Sequence, residues 1–227
     1  MYTERFDEGD RQQIWSELLV LGDKVRADYV YEDALELARQ TMVAVRNNIE
    51  RIIDAVSGLG YRFGEHSNGE PNPHYSAPLV APPSNIDDQI AEFEEPAGVL
   101  PISIAALRKT VGSVDFTGYH PDWPAYADQL IVYPVEAAFE SHEEWEEQCD
   151  DDGIDVAGPL LIRLAVDGLL TLESHNTTLV NYLWIIMLLS DYLRNAVDQL
   201  GLIKEPWDSP IYSLPSAQSL RLALIAF

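Results

Sequence analysis

The N-terminal part of the chain carries apolar side chains at helical spacing, which predicts two amphipathic helices. The first is expected to begin after Asp10, whose side chain can cap it, and the second to run from Glu32 to Ser57. Residues three and four positions apart share one helix face. The two apolar stripes are Ile14, Leu18, Leu21 and Val25, and Leu35, Ala38, Met42, Val45, Ile49, Ile52, Ile53 and Val56. Residues 1–63 are therefore predicted to form a helical hairpin that docks on the rest of the protein.

Proline and glycine are frequent in the next segment, residues 64–84, and leave little room for regular structure. We predict a loop that serves as a linker, or as an extended strap along the surface. Beyond it, residues 85–227 are predicted to form an α+β domain that makes one compact unit with the N-terminal helices.

The strands predicted in residues 85–227 come as a group and do not alternate with helices, which is typical of the α+β class. A turn or loop is expected from Cys149 to Gly153, and the pattern of residues 213–227 fits either element type. Strands are predicted at residues 114–118, 130–135, 160–164 and 169–172. Helices are predicted from Ser84 to Pro96, through Ala105 to Gly112, from Phe139 to Gln148, and from Thr177 or Thr178 to Leu200.

The negative charge of the chain is concentrated in one window. Residues 84–155 contain 18 of the 38 Asp and Glu residues but only two of the 14 Lys and Arg residues, Arg108 and Lys109. This window accounts for 16 of the 24 net negative charges. Such a concentration repels nucleic acid and anionic membranes and attracts basic proteins and cations. We therefore expect a basic protein partner, and neither nucleic acid nor a membrane.

The sequence predicts a cytoplasmic location. Residues 1–10 have neither the basic start nor the apolar run of a signal peptide, and the one cysteine, Cys149, excludes an intramolecular disulfide. The most apolar run, Leu179 to Leu189, is shorter than the roughly 20 residues that span a bilayer. We interpret this run as a buried helix.

Several short motifs lie between residues 59 and 185. Gly98 to Ser103 has a Leu-Pro pair before a helix, and Val111 to Gly118 has a glycine turn into the first strands. Three further motifs are Leu59–Phe63, Leu130–Pro134 and Glu173–Leu183. Together these motifs resemble the SUKH family, also called the SMI1/KNR4 family. The last helix differs, because it continues from Trp184 to Tyr192 where those relatives usually have a Gly-Gly-Phe-Pro-Gly type turn. The C-terminal 40 residues therefore lie outside the resemblance.

This resemblance implies a mixed sheet flanked by helices, without catalytic machinery of its own. Many bacterial members are immunity proteins that neutralise polymorphic toxins, often nucleases, whereas eukaryotic relatives act as interaction scaffolds. The leading hypothesis is therefore a non-enzymatic immunity protein that neutralises a basic toxin. One alternative is an intracellular scaffold or regulatory protein that forms a homodimer through its N-terminal helices. Another is an enzyme or metal protein with clustered carboxylates, which would need a cleft and raised carboxyl pKa values.

The densest acidic run, residues 143–155, is the candidate partner-binding surface. Its carboxylates would attract and orient a basic partner, and Trp145 would anchor the contact. The same run is also consistent with a solvated surface whose tryptophan packs on the core. The rigid loop from His120 to Pro124 is either a second interaction element or a cap on the sheet. The candidate residues are Glu143, Glu144, Trp145, Glu146, Glu147, Asp151, Asp152, Asp122 and Trp123.

Other constellations predict neither a metal site nor a catalytic site. Asp150 to Asp155 has glycine at position four and Leu161 at position twelve, whereas an EF-hand needs glycine at six and glutamate at twelve. The five histidines form no His-x-x-His pair, and the acids around Cys149 oppose a reactive thiolate. The sequence contains no P-loop and no Gly-x-Ser-x-Gly motif. We therefore predict no enzymatic activity and no metal or cofactor.

Overall fold

The computed structural model describes residues 2–21, 24–25, 28–97, 99–121, 128–152, 160–163, 171–174 and 202–203. The helices in this part of the chain are α1 (Tyr2–Asp7), α2 (Arg11–Leu21), α3 (Asp28–Gly58), α4 (Ile86–Ala97), α5 (Ile102–Thr110) and α6 (Glu136–Asp152). The strands are β1 (Arg62–Phe63), β2 (Leu79–Val80), β3 (Ser113–Asp115), β4 (Gly118–Tyr119), β5 (Asp128–Gln129), β6 (Ile131–Val132), β7 (Leu160–Arg163), β8 (Thr171–Ser174) and β9 (Leu202–Ile203). Helices and small antiparallel sheets together confirm the α+β class.

α3 is a long helix whose apolar stripe forms one side of the core. Six of the eight predicted stripe residues are buried: Ala38, Met42, Val45, Ile49, Ile52 and Val56. Ile53 is partly buried, but the prediction for Leu35 was wrong, since this residue is 38% exposed. The first part of α3 packs against α1 and α2. The buried face of this part of α3 therefore consists of Val30, Ala34 and Leu37.

Two apolar clusters hold the described elements together. The smaller cluster joins Phe6 of α1 and Ile14 of α2 to the first half of α3. The larger cluster joins the α3 stripe to Phe93 of α4, Leu107 of α5 and Val114 of β3. Because α3 contributes to both clusters, the N-terminal helices share a core with elements that follow residues 64–84.

α1 was not predicted, because it depends on a residue that lies 30 positions away. The backbone N–H groups of Tyr2 and Thr3 donate to the carboxylate of Asp33 on α3, and the Thr3 hydroxyl donates to it at 2.7 Å. These bonds satisfy N–H groups that the start of a helix leaves without partners. Arg5 then links α1 to α2 through an ion pair with Glu17 at 2.6 Å.

One predicted strand is divided in the structure, and another is shorter than predicted. The predicted strand at 114–118 consists of β3 and β4, because the buried Phe116 lies between them and the two strands join different sheets. In one sheet, Val114 of β3 pairs with Leu79 of β2 and Val132 of β6, and in another β4 pairs with β1. The predicted strand at 130–135 corresponds to β6, with β5 just before it. β7 and β8 pair in antiparallel fashion near the last two predicted strands.

Residues 64–84 are not loop throughout, because Leu79–Val80 forms the edge strand β2. The prediction was wrong here, since β2 depends on pairing with β3, more than 30 residues later in the chain. Tyr75 also fastens this segment, because its hydroxyl donates to the carbonyl oxygen of Asp115 at 3.2 Å. Its ring occupies the space beside Gly64, where a Cβ would lie 2.2 Å from Cδ1 of Tyr75. We call residues 64–84 the strap from here on.

α6 is longer than predicted. It runs to Asp152, so the turn expected from Cys149 was wrong over residues 149–152. Consecutive aspartates have a weak helix propensity, but tertiary contacts override such preferences, and α6 packs against β7. The predicted helix from Thr177 or Thr178 to Leu200 and the segment 213–227 lie outside the described residues.

Gly112 provides a test of the contact between the strap and β3. Its φ is +87°, and a Cβ there would lie 2.2 Å from the carbonyl oxygen of Val80. Gly112→Ala should therefore lower the free energy of unfolding by at least about 2 kcal/mol, measured by denaturant titration. The control is Gly58→Ala at the end of α3, where nothing lies within 4 Å of the added Cβ. Equal losses in both variants would contradict the proposed clash.

Arg46 provides a second test, at the contact between α3 and α5. Its Nη1 donates to the carbonyl oxygens of Thr110 at 3.0 Å and Val111 at 3.3 Å, where α5 ends. Arg46→Ala should lower the free energy of unfolding by about 1–2 kcal/mol, because these carbonyls lose a charged donor. Arg39→Ala breaks an exposed ion pair with Glu36 on the same helix and should lower it by less than about 0.5 kcal/mol. Urea titration of both variants measures the two losses of unfolding free energy. A larger loss in Arg39→Ala than in Arg46→Ala would refute the prediction.

Candidate functional site

α6 has one buried side and one strongly acidic side. Nine of its 17 residues are Asp or Glu, and none is Lys or Arg. Ala138, Ser141 and His142 are buried, and Phe139 packs against the core from the same helix. Its exposed acids are Glu136, Glu140, Glu143, Glu144, Glu146 and Glu147.

α4 adds acids beside those of α6. The ring of Phe93 in α4 meets Phe139 edge to face, with 5.5 Å between the ring centroids, and lies 6.4 Å from the ring of His142. Gln89 of α4 also donates to the carboxylate of Glu136 at 3.1 Å. The exposed acids of α4 are Asp87, Asp88, Glu92 and Glu95. We call these residues, together with the exposed acids of α6, the α4–α6 acidic surface.

Few positive charges balance this surface within the described part of the chain. Lys109 forms an ion pair with Asp87 at 2.6 Å, but both side chains are largely exposed, so water and salt weaken the pair. His142 lies 3.6 Å from the Glu146 carboxylate. Arg108, the other base of the acidic window, is buried. Most of the carboxylates therefore remain available to a partner.

Glu136 lies in the first turn of α6, where the helix dipole favours an acid, but the acids that follow mostly repel one another or the dipole. Glu136, Glu140 and Glu144 are spaced four residues apart, which places like charges one turn apart and destabilises a helix. Asp150 to Asp152 lie in the last turn, where the helix dipole disfavours negative charge. The stability of α6 must therefore come from its buried side. Folding alone does not account for the charge on the other side.

The structure brings some of the predicted partner-binding residues together. Glu143, Glu144, Glu146 and Glu147 are exposed on α6. Trp145 and the last-turn residues Asp151 and Asp152 belong to the same helix. The loop residues Asp122 and Trp123 lie outside the described residues.

The acids of α4 were missed as part of the candidate surface. Asp88, Glu92 and Glu95 follow one another at spacings of four and three, which places them on one face of a helix. That signal was present in the sequence. The contact between α4 and α6, however, depends on Phe93 and Phe139, which are distant in the chain.

The described residues contain no group of three or more His, Cys, Asp or Glu side chains that could hold a metal ion. Within the same residues, no helix has the length and apolar character needed to cross a membrane. Comparisons of the chain with protein-family models, with curated proteins and with solved structures find no match. The function is therefore inferred from the residues of this chain.

The repulsion within α6 should be measurable. Glu144→Lys places a cation four residues after Glu140 and three before Glu147, so attraction replaces repulsion. We expect Tm to rise by about 1–2 °C at low salt and by much less at high salt. Glu144→Gln, which only removes the charge, should give a smaller rise. A fall of Tm in both variants at low salt would show that Glu144 stabilises the fold.

Proposed function

We propose that this chain is a non-enzymatic immunity protein of SUKH type, which neutralises a basic toxin domain through the α4–α6 acidic surface. One observation carries the proposal: α4 and α6 pack together and carry five and nine acids without a single Lys or Arg. Because these charges weaken α6, we attribute them to recognition. The proposal places the protein in the cytoplasm and requires no metal or cofactor.

The proposed mechanism is electrostatic attraction followed by steric blockage. A toxin that acts on nucleic acid needs a basic surface around its active site to hold phosphates. A dense array of carboxylates competes for that same surface and speeds the encounter over long range. The bound immunity protein then covers the active site, so the substrate cannot enter.

The positions of the SUKH-like motifs support the family assignment. Pro101, of the Leu-Pro pair, directly precedes α5, and Gly112 turns the chain from α5 into β3. This order of pair, helix, glycine turn and strand is the one that the resemblance implies. We propose that the chain also has the mixed sheet of the SUKH fold.

The test is binding to a basic toxin domain, which is sought in the genes that neighbour the gene of this chain. Charge reversal to Lys at Glu143, Glu144, Glu146 and Glu147 should weaken binding at least about 100-fold at low salt, and should restore toxin activity. The control is the same reversal at four exposed acids that do not belong to the α4–α6 acidic surface: Glu8, Glu32, Asp54 and Glu70. The control variant should still bind and inhibit the toxin.

Salt separates the electrostatic mechanism from an apolar one. At about 0.5 M salt the screening length falls to about 4 Å, and binding through the carboxylates should weaken strongly. Binding that survives both this salt and the four-residue charge reversal would refute the electrostatic mechanism. Equal losses in the reversal variant and in its control would assign the effect to net charge, and not to α6.

A second candidate is a scaffold or regulatory protein that self-associates through its N-terminal helices. The observation in its favour is that Val20 of α2 and Tyr29 of α3 are 89% and 85% exposed. If these residues form a dimer contact, Val20→Glu with Tyr29→Glu should convert a dimer into a monomer in light scattering. A wild-type chain that is monomeric at all concentrations would reject this candidate. Removing α3 would not test it, because α3 supplies part of the core.

A further inference from the structure

Arg108 of α5 is buried without hydrogen bonds to the two terminal nitrogens of its guanidinium. The residue is 3% exposed, and neither Nη1 nor Nη2 has a partner among the described residues. The next residue, Lys109, has a side chain that is 45% exposed and pairs with Asp87 at the surface. The two bases of the acidic window therefore occupy opposite environments.

A guanidinium in this state is unusual. Arginine is rarely buried without a partner, because taking a charge out of water is costly unless hydrogen bonds compensate for it. Burial lowers the pKa of Arg108 to about 10, against the opposing effect of the Glu136 carboxylate. Arg108 is still charged at neutral pH. It therefore offers two unused donors with a full positive charge.

Side chains of two neighbouring helices lie at the same junction. The ion pair between Asp87 and Lys109, the neighbour of Arg108, ties α4 to α5 at 2.6 Å. Glu136, the first residue of α6, accepts a hydrogen bond from Nε2 of Gln89 on α4 at 3.1 Å, and its charge favours the protonated form of Arg108. The other polar atom of Gln89, Oε1, is buried and lacks a partner among the described residues. The junction of α4, α5 and α6 therefore holds two unused donors and one unused acceptor.

We propose that this junction binds a small monocarboxylate that carries a hydroxyl or ammonium group next to its carboxylate, such as a 2-hydroxy acid or an amino acid. The carboxylate accepts hydrogen bonds from Nη1 and Nη2 of Arg108, the paired geometry that arginine forms with carboxylates. The neighbouring group donates to Oε1 of Gln89. Glu136 is exposed and Gln89 is half-buried, and the proposal requires both side chains to rotate so that the ligand reaches Arg108.

The charges around the proposed site favour a carboxylate over a phosphate. Arg108 supplies one positive charge, and Glu136 with the rest of the α4–α6 acidic surface repels any further negative charge. Above its second pKa phosphate is a dianion, which would leave an uncompensated charge in a buried site and is strongly unfavourable. Acetate fits the charge but has no donor for Gln89. The expected order of affinity is glycolate or glycine first, then acetate, then phosphate.

Thermal unfolding of the full chain tests the proposal, with each of these four compounds at matched ionic strength. The pH is set above the second pKa of phosphate, so that phosphate is a dianion, and below the ammonium pKa of glycine. Glycolate or glycine should raise Tm by about 2–4 °C at about five times its Kd, and phosphate should have no effect. Arg108→Met should abolish the shift. Lys109→Met removes the same charge from the next position, at the surface, and should keep the shift. Titration calorimetry on the same proteins measures binding independently of stability.

Three outcomes would overturn the proposal. The first is a wild-type chain that neither glycolate nor glycine stabilises or binds. The second is an Arg108→Met variant that keeps the full shift. If that variant does not fold, Gln89→Leu replaces it and should lose the preference for glycolate over acetate; an unchanged preference would reject the site. The third is a phosphate shift as large as the glycolate shift, which would indicate a general effect of ions.

Discussion

The packing of α3 along α5 is the contact on which the rest of the described structure depends. It places the apolar stripe of α3 against Ile104 and Leu107 of α5, in the cluster that also receives β3 and α4. Arg46 closes the same contact by binding the carbonyl groups at the end of α5. Gly112 then turns the chain into β3, which pairs with the strap on one side and β6 on the other. A helix from the start of the chain therefore positions the sheet that follows it.

The α4–α6 acidic surface is supported by an apolar contact and not by its own charges. Phe93 and Phe139 meet beneath the two helices, and Ala138 is buried beside them. Because the carboxylates point away from this contact, their number and spacing can change while the core stays intact. That separation suits a recognition surface, since the charge pattern can adapt to a partner without loss of the fold. The same separation explains why the repulsion within α6 is tolerated.

Sequence patterns predicted the elements whose causes are local. The spacing of Ala38 to Val56 identified the buried face of α3, and the run of glutamates identified the charged side of α6. Features that depend on distant contacts were missed. β2 needs β3 as its pairing partner, α1 needs Asp33, and Leu35 is exposed because α1 and α2 redirect the buried face of α3. Arg108 could have been recognised, because Ile104, Arg108 and Val111 share one face of a helix through spacings of four and three.

The acidic surface and the buried arginine have related electrostatic roles. Negative charge on α4 and α6 makes a buried cation less unfavourable, because the carboxylate of Glu136 offsets part of the cost of desolvation. The same charge repels anions that approach from outside, and it repels dianions most strongly. In the two proposals, a basic protein meets the exposed carboxylates, whereas a small monocarboxylate binds the buried Arg108. The two proposed sites therefore select ligands of opposite charge at neighbouring positions, and Glu136 belongs to both. A basic partner that draws Glu136 outward would move a carboxylate away from Arg108 and strengthen the attraction of Arg108 for a monocarboxylate.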